Sequence, residues 1–297
     1  MKLFAPKYYV KFKCIADKCT HSCCTGWEID IDARSLQKYR ELPDGYGDNI
    51  RQSISENEVP HFKLGDDERC PHLDENGLCR IITELGEGYL CDICREHPRF
   101  YNTTALGREV GLGMSCEEAC RIILASDDFD QMTELGAVRG RAPKITFDVT
   151  PHRDFVFKAL KNAQLSLCEK LNVIEKEYEL DLAQNEESLK GVLEELEYLN
   201  EADKELFSCY SSNPQVAKED EKPLCSALAY FVYRHCSSAR GLAEFRAALG
   251  LCLFLEGLIA SVLARTERSI FDIARTISEE IEYSEDNTCL IKEEFLF

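Results

Sequence analysis

Positive charge is what this 297-residue chain is short of: 35 Lys and Arg stand against 54 Asp and Glu, a net charge of −19. Binding to nucleic acid or to an anionic membrane by bulk electrostatics needs clustered Lys and Arg to neutralise phosphates, so neither is an expected partner. The shortage is general, since residues 1–120 carry 15 basic and 21 acidic side chains and the rest carry 20 and 33. Such a surface suits a basic partner, lysine-rich proteins among them. The N-terminus, MKLFAPKYYVKFKC, lacks the apolar stretch and small-residue cleavage site of a signal peptide, which points to a reducing, cytoplasmic setting. Long apolar runs are missing too. The nearest, residues 247–264, contains Glu256 and is flanked by Arg246 and Arg265, so it reads as a buried core helix rather than a membrane span. There is no internal repeat and no low-complexity segment.

What the chain has in plenty is cysteine, and unevenly: ten of sixteen lie in residues 1–120. In a reducing compartment that density points to metal rather than to a disulfide scaffold. The expected fold is mainly α, with an irregular Cys-rich lobe of short β-hairpins over residues 1–126, a linker over 127–150 and an α-helical bundle over 151–297. The stretch LGAVRGRAPKITFDVTP (135–151) holds two Gly, two Pro and a short β-like KITFDV. Beyond it, Val156, Leu160, Ala163, Leu167, Leu171, Ile174 and Tyr178 recur at steps of three and four, one apolar stripe on a long helix. Leu189, Leu193, Leu196 and Leu199 repeat the pattern. SSNPQVAKEDEKP (211–223) reads as a loop, and helices are expected again near 224–236, 241–264 and 268–283. The six later cysteines are scattered singly and read as incidental. The tail DNTCLIKEEFLF is too short to assign to a strand or a packed segment.

The early cysteines form four groups. Cys14-x4-Cys19-x3-Cys23-Cys24 has loops short enough for sulfurs to wrap one centre, although adjacent side chains such as Cys23 and Cys24 diverge and suit two centres, different irons of one cluster, or one free thiol. In CPHLDENGLCRI the turn signal Asn76-Gly77 draws Cys70 and Cys79 together across a hairpin. Cys91-x2-Cys94 has metal-knuckle spacing and is followed by Arg95, His97 and Arg99. In SCEEACRIIL, Ser115 and Glu118 predict a capping box with Cys116 in the first helical turn, where the helix dipole favours a thiolate. His21, His72 and His97 keep zinc open as the metal. All-thiolate shells and the surplus of cysteine favour a four-iron four-sulfur cluster. The radical-type spacing C-x3-C-x2-C is absent, because Gly26 stands where its third cysteine belongs.

Taken in order, YYVKFKCIADKCTHSCCTGWEIDID, CPHLDENGLCRI, LCDICREHPRF and GLGMSCEEACRIIL resemble the flagellin lysine N-methylase family, which shares its cysteine signature with CxxCxxCC domains that chelate zinc or iron. The resemblance covers residues 8–125. It implies a cytoplasmic enzyme with a metal centre that moves a methyl group from S-adenosylmethionine to lysine side chains of flagellin. The family cysteines fall on Cys14, Cys19, Cys23, Cys24, Cys70, Cys79, Cys91, Cys94 and Cys116. Glu117 and Cys120 depart from the family pattern, which sets Cys120 apart from that ligand set.

No G-x-G-x-x-G cradle for S-adenosylmethionine is present, and Gly111-Leu112-Gly113 is too short to serve. A sulfonium group needs aromatic neighbours, for which Trp27, Tyr8 and Tyr9 are candidates against a plain core role. Its carboxylate needs a base such as Arg95 or Arg99. In WEIDID, Trp27, Ile29 and Ile31 alternate with Glu28, Asp30 and Asp32; these carboxylates could hold a substrate ammonium, or Asp32 could cap the next helix. His97 is a base, a ligand or a structural hydrogen bonder. The alternative to the enzyme is an iron–sulfur or zinc protein for electron transfer, metal handling or protein interaction.

Overall fold

The structure is a computed structural model describing residues 1–57, 59–140 and 144–296. It is mainly helical and divides into two compact units, Lys13–Pro98 and a larger one made of Met1–Phe12 with Arg99–Phe297. The chain starts in the larger unit with strand β1 (Lys2–Pro6) and a 3-10 turn at Lys7–Lys11, then builds the smaller unit before returning.

The smaller unit contains α1 (Ala33–Arg40), α2 (Tyr46–Ser53), the ladder β2 (Ile54–Ser55) with β3 (His61–Phe62), α3 (Arg80–Leu85) and α4 (Asp92–Glu96). Elements this short need side-chain caps to persist. Asp32 supplies two: one oxygen accepts from the Ser35 N–H at 3.0 Å to start α1, and the other accepts from the Asp92 N–H at 2.8 Å to start α4. The WEIDID segment alternates as expected, with Ile29 and Ile31 buried and Glu28 and Asp30 exposed. It forms only a single bridge, Asp30 to His61, rather than a full strand. Tyr39, Ile50 and Phe62 centre the core, and Cys70 and Cys91 are part of it.

The larger unit resumes with β4 (Arg99–Thr104), β5 (Gly107–Leu112), α5 (Glu117–Leu124) and β6 (Met132–Ala137). The sheet order is β4-β5-β1-β6, with β1 parallel to β5 and antiparallel to β6. This sheet is why the units do not divide after residues 126 and 150: it binds residues 2–6 and 99–137 to the helices that follow. Residues 127–150 supply an edge strand rather than a plain linker, KITFDV forms no strand, and residues 141–143 lie outside the described residues. Phe100 pairs with Gly111, where a Cβ would lie 2.2 Å from the ring, so only glycine lets the ring cover that strand.

The helices are α6 (Thr150–Leu160), α7 (Leu167–Tyr178), α8 (Glu186–Glu195), α9 (Glu201–Phe207), α10 (Glu221–His235), α11 (Leu242–Leu263), α12 (Ile270–Ile277) and α13 (Glu285–Glu293). The stripe expected on one long helix from residue 151 is broken after Leu160, because Ser166 and Glu169 form a capping box that starts α7 afresh. Leu189 and Leu193 are buried as expected, whereas Leu199 is exposed. α10 and α11 pack together at the centre and are buried on most sides, which is why α11 has no polar stripe. Only α11 among the described residues is long and apolar enough to cross a membrane, and most of it is buried in the unit. The tail forms α13 and seats Phe295 over Gly250, with Phe297 outside the described residues. Arg153 on α6 donates to both oxygens of Glu109 on β5 at 2.6 and 3.0 Å, a buried pair that ties helix to sheet.

Candidate thiolate site

All sixteen cysteines are free thiols. Local turns bring five of them towards one core. The Cys70 N–H donates to the Cys24 carbonyl at 2.8 Å, joining the first motif to the second. Gly77, at φ 77°, closes the expected hairpin, and the Asp74 carboxylate accepts from the Asn76 and Leu78 N–H groups. Leu73 then bridges Cys79, which starts α3. Cys91 starts α4, and its Sγ lies 3.5 Å from that of Cys94. Cys24, Cys70, Cys79, Cys91 and Cys94 all pack in or against the core around Tyr39 and Phe62.

Their electrostatics show the crowding. The Cys91–Cys94 hydrogen bond pulls Cys91 below the ordinary thiol range and pushes Cys94 far above it. Burial takes Cys70 up to about 12, with Cys24, Cys79 and Cys91 adding to the rise. The hydrogen bond from Cys23 brings Cys24 down to about 7 against its burial.

Of the nine cysteines expected as ligands, the other four are not part of that core. Cys14 and Cys23 are exposed and Cys19 donates to the His21 carbonyl at 3.0 Å. Cys116 belongs to the larger unit, where it is itself the N-cap of α5. The capping box expected from Ser115 and Glu118 does not form, because Glu118 instead takes both its hydrogen bonds from Arg121. Cys120 is buried and donates to the Phe271 carbonyl, consistent with a core role. Among the described residues, no group of three or more His, Cys, Asp or Glu is arranged to hold a metal ion. The donor chemistry of the five core thiols nevertheless suits a thiophilic metal, and the Cys91–Cys94 spacing suits two sulfurs on one centre. His72 is not available beside them. It is buried, bonds Tyr46 and Ser53 through its two ring nitrogens, and is brought down to about 4 by burial.

Asp32 is a structural cap: burial acts against its charge, but the Asp92 and Ser35 N–H groups bring it down to about 2. Asp30 remains exposed. Trp27 is half-buried in the smaller unit. Arg99 lies in the larger one, where it donates to the Tyr9 hydroxyl at 2.9 Å and stacks over the Phe12 ring. Tyr8 is wholly buried and thus core. Arg95 pairs with Asp92 and Glu96 along its own helix. Spacing alone also missed a contact in the bundle: Cys236 and Cys252 meet at 3.8 Å between sulfurs.

Comparison with known proteins gives partial matches. The chain is 27% identical over 140 residues to the lysine-N-methylase of Salmonella typhimurium, a match covering 43% of this chain and 34% of that protein. Identity is 26% over 140 residues to the lysine-N-methylase of Salmonella choleraesuis. It is 29% over 133 residues to the flagellar biosynthetic protein FliU of Salmonella muenchen, covering 41% of this chain and 77% of FliU. The chain thus spans about a third of the length of the lysine-N-methylases it matches. No family model and no solved structure matches. These are distant, partial likenesses to proteins of those names.

Proposed function

We propose that the chain is a protein-lysine N-methyltransferase that uses S-adenosylmethionine and acts in the cytoplasm on flagellin or another lysine-rich protein. The observation that carries this is the similarity to lysine-N-methylases of two Salmonella strains, with FliU adding a flagellar connection. The acidic surface is compatible with a lysine-bearing substrate. Cys24, Cys70, Cys79, Cys91 and Cys94 are the residues that would hold a metal group, with their all-sulfur set favouring a four-iron four-sulfur cluster over zinc. Such a group would supply a fixed, charged organiser for the smaller unit.

Purified protein incubated with S-adenosylmethionine and flagellin should add methyl groups to lysine, read by intact-mass and peptide mass spectrometry. Anaerobically prepared protein should contain iron and sulfide. Zinc in their place would overturn the cluster. The five gathered thiols also support a second reading, a metal protein without enzymatic activity. That reading stands if the metal is present while flagellin gains no methyl group and S-adenosylmethionine does not bind in calorimetry.

A further inference from the structure

In the larger unit, the C-terminal end of α10, the first half of α11 and the end of α13 flank an open pocket of about 270 Å³. Ala239, Ala247 and Ala248 line it, and their small side chains leave room for an aliphatic stem. Glu244 and Glu293 bring negative charge to its lining. His235 also lines it, with a side chain only 9% exposed. Its Nε2 bonds Glu282 Oε1 at 2.6 Å, which leaves Nδ1 without a hydrogen-bond partner among the described residues. Glu282 closes the π-helical turn Ser278–Glu282 after α12, a local widening that recurs at functional sites.

We propose that this cavity receives a lysine side chain and that His235 takes a proton from its ammonium group. The step breaks one N–H bond of the ammonium and forms one at Nδ1, leaving a neutral amine and an imidazolium beside Glu282. Glu282, Arg234 and Lys292 act on His235 electrostatically, and Glu244, Cys289 and Glu293 stand in the lining beside it. Burial, with Arg234 and Lys292, keeps the imidazole neutral and able to accept. Burial also opposes the charge of Glu282, but Arg234 and His235 outweigh it and keep that carboxylate ionised, so it can stabilise the imidazolium. Lys292, a second ammonium in the lining, loosens the proton of an incoming amine. The proposal rests on the methyltransferase reading for its purpose, since a lysine must lose a proton before it can attack a methyl group, but amine binding needs no methyl donor.

The test uses the full ¹⁵N-labelled chain titrated with n-butylammonium and followed by imidazole ¹⁵N signals. Movement of the His235 signals, with those of the other five histidines still, is expected. The variant Cys289→Phe, at an exposed position in the lining, should weaken binding by about ten-fold or more with the fold intact by circular dichroism. Glu244→Gln should weaken it less, and more at low salt than at high salt. Unmoved His235 signals, or binding unaltered by Cys289→Phe, would overturn the site. Methyl transfer by the wild type that survives Cys289→Phe unchanged would sink the cavity and leave the enzyme standing. Amine binding without any methyl transfer would do the reverse.

Discussion

Glu256 lies at the centre of α11, 2% exposed, and its Oε1 has no hydrogen-bond partner among the described residues. Burial, reinforced by Glu175, raises its carboxyl from 4.5 to about 8. Below pH 4.5 the folded and unfolded chains both hold the proton and the group is neutral to stability. Between 4.5 and 8 the unfolded chain ionises while the folded one does not, so stability falls by about 1.4 kcal/mol per pH unit. Above 8 both are ionised and the loss levels off. At pH 7, two and a half units into that window, the loss is about 3 kcal/mol. Glu256→Gln keeps the shape and cannot ionise, so it should gain on the wild type by about that amount between pH 4.5 and 7. Urea unfolding followed by far-ultraviolet circular dichroism reads the helical unit. Fluorescence of Trp27, the only tryptophan, reads the smaller unit and should be unmoved by the substitution. A gap between variant and wild type that stays constant from pH 5 to 8 would show Glu256 to be ionised within the fold and refute the argument.

Gly250→Ala sets a Cβ 2.3 Å from the Phe295 ring and should cost about 1–3 kcal/mol, largely recovered by adding Phe295→Leu, as measured by thermal unfolding. Arg153→Met leaves the buried Glu109 carboxyl without its partner, and should cost about 3–5 kcal/mol in urea titrations, whereas adding Glu109→Gln should restore much of it. Asp32→Ala removes the caps of both α1 and α4 and should lower the Trp27-monitored stability by about 1–2 kcal/mol. Because Asp32 titrates near 2 when folded, that contribution is complete above pH 3.8 and disappears as the pH falls towards 2. On the metal-holding reading proposed above, a chelator should shift the Trp27 transition and leave the helical transition where it is; an unmoved Trp27 transition would count against metal in the smaller unit.

Local chemistry was legible and long-range pairing was not. The Asn76-Gly77 turn, the Cys91–Cys94 approach, the capping role of Asp32 and the burial of residues 247–262 each depend on neighbours a few positions away, and each is seen. The sheet depends on Leu3 meeting Arg108 and Gly136, over a hundred residues distant, and no periodicity in KLFAP reveals that partner. The break after Leu160 was hidden because an apolar stripe runs through a helix boundary as easily as through a helix. Only the Ser166 and Glu169 side chains mark the new start. The His235–Glu282 contact was hidden for the same reason as the sheet, since 47 positions separate residues that bear no shared motif.

The placement of the thiols carries a physical argument about the smaller unit. A domain of this size buries a modest share of its surface and commonly needs a further source of stability. Here two core positions, Cys70 and Cys91, belong to thiols, and Cys24, Cys79 and Cys94 fill the space beside them. A thiol packs as a small apolar group, so the cluster contributes some burial energy without any ligand. Yet Ile or Val at these positions would bury more apolar area, and the hydrogen bond between Cys91 and Cys94 draws the first thiol down and the second up. A core that gives up burial for polarizable sulfur has the donor chemistry that the proposed metal group would need. On the metal-holding reading proposed above, folding and metal uptake would be linked in this unit, whereas the larger unit is held by its aliphatic α10 and α11.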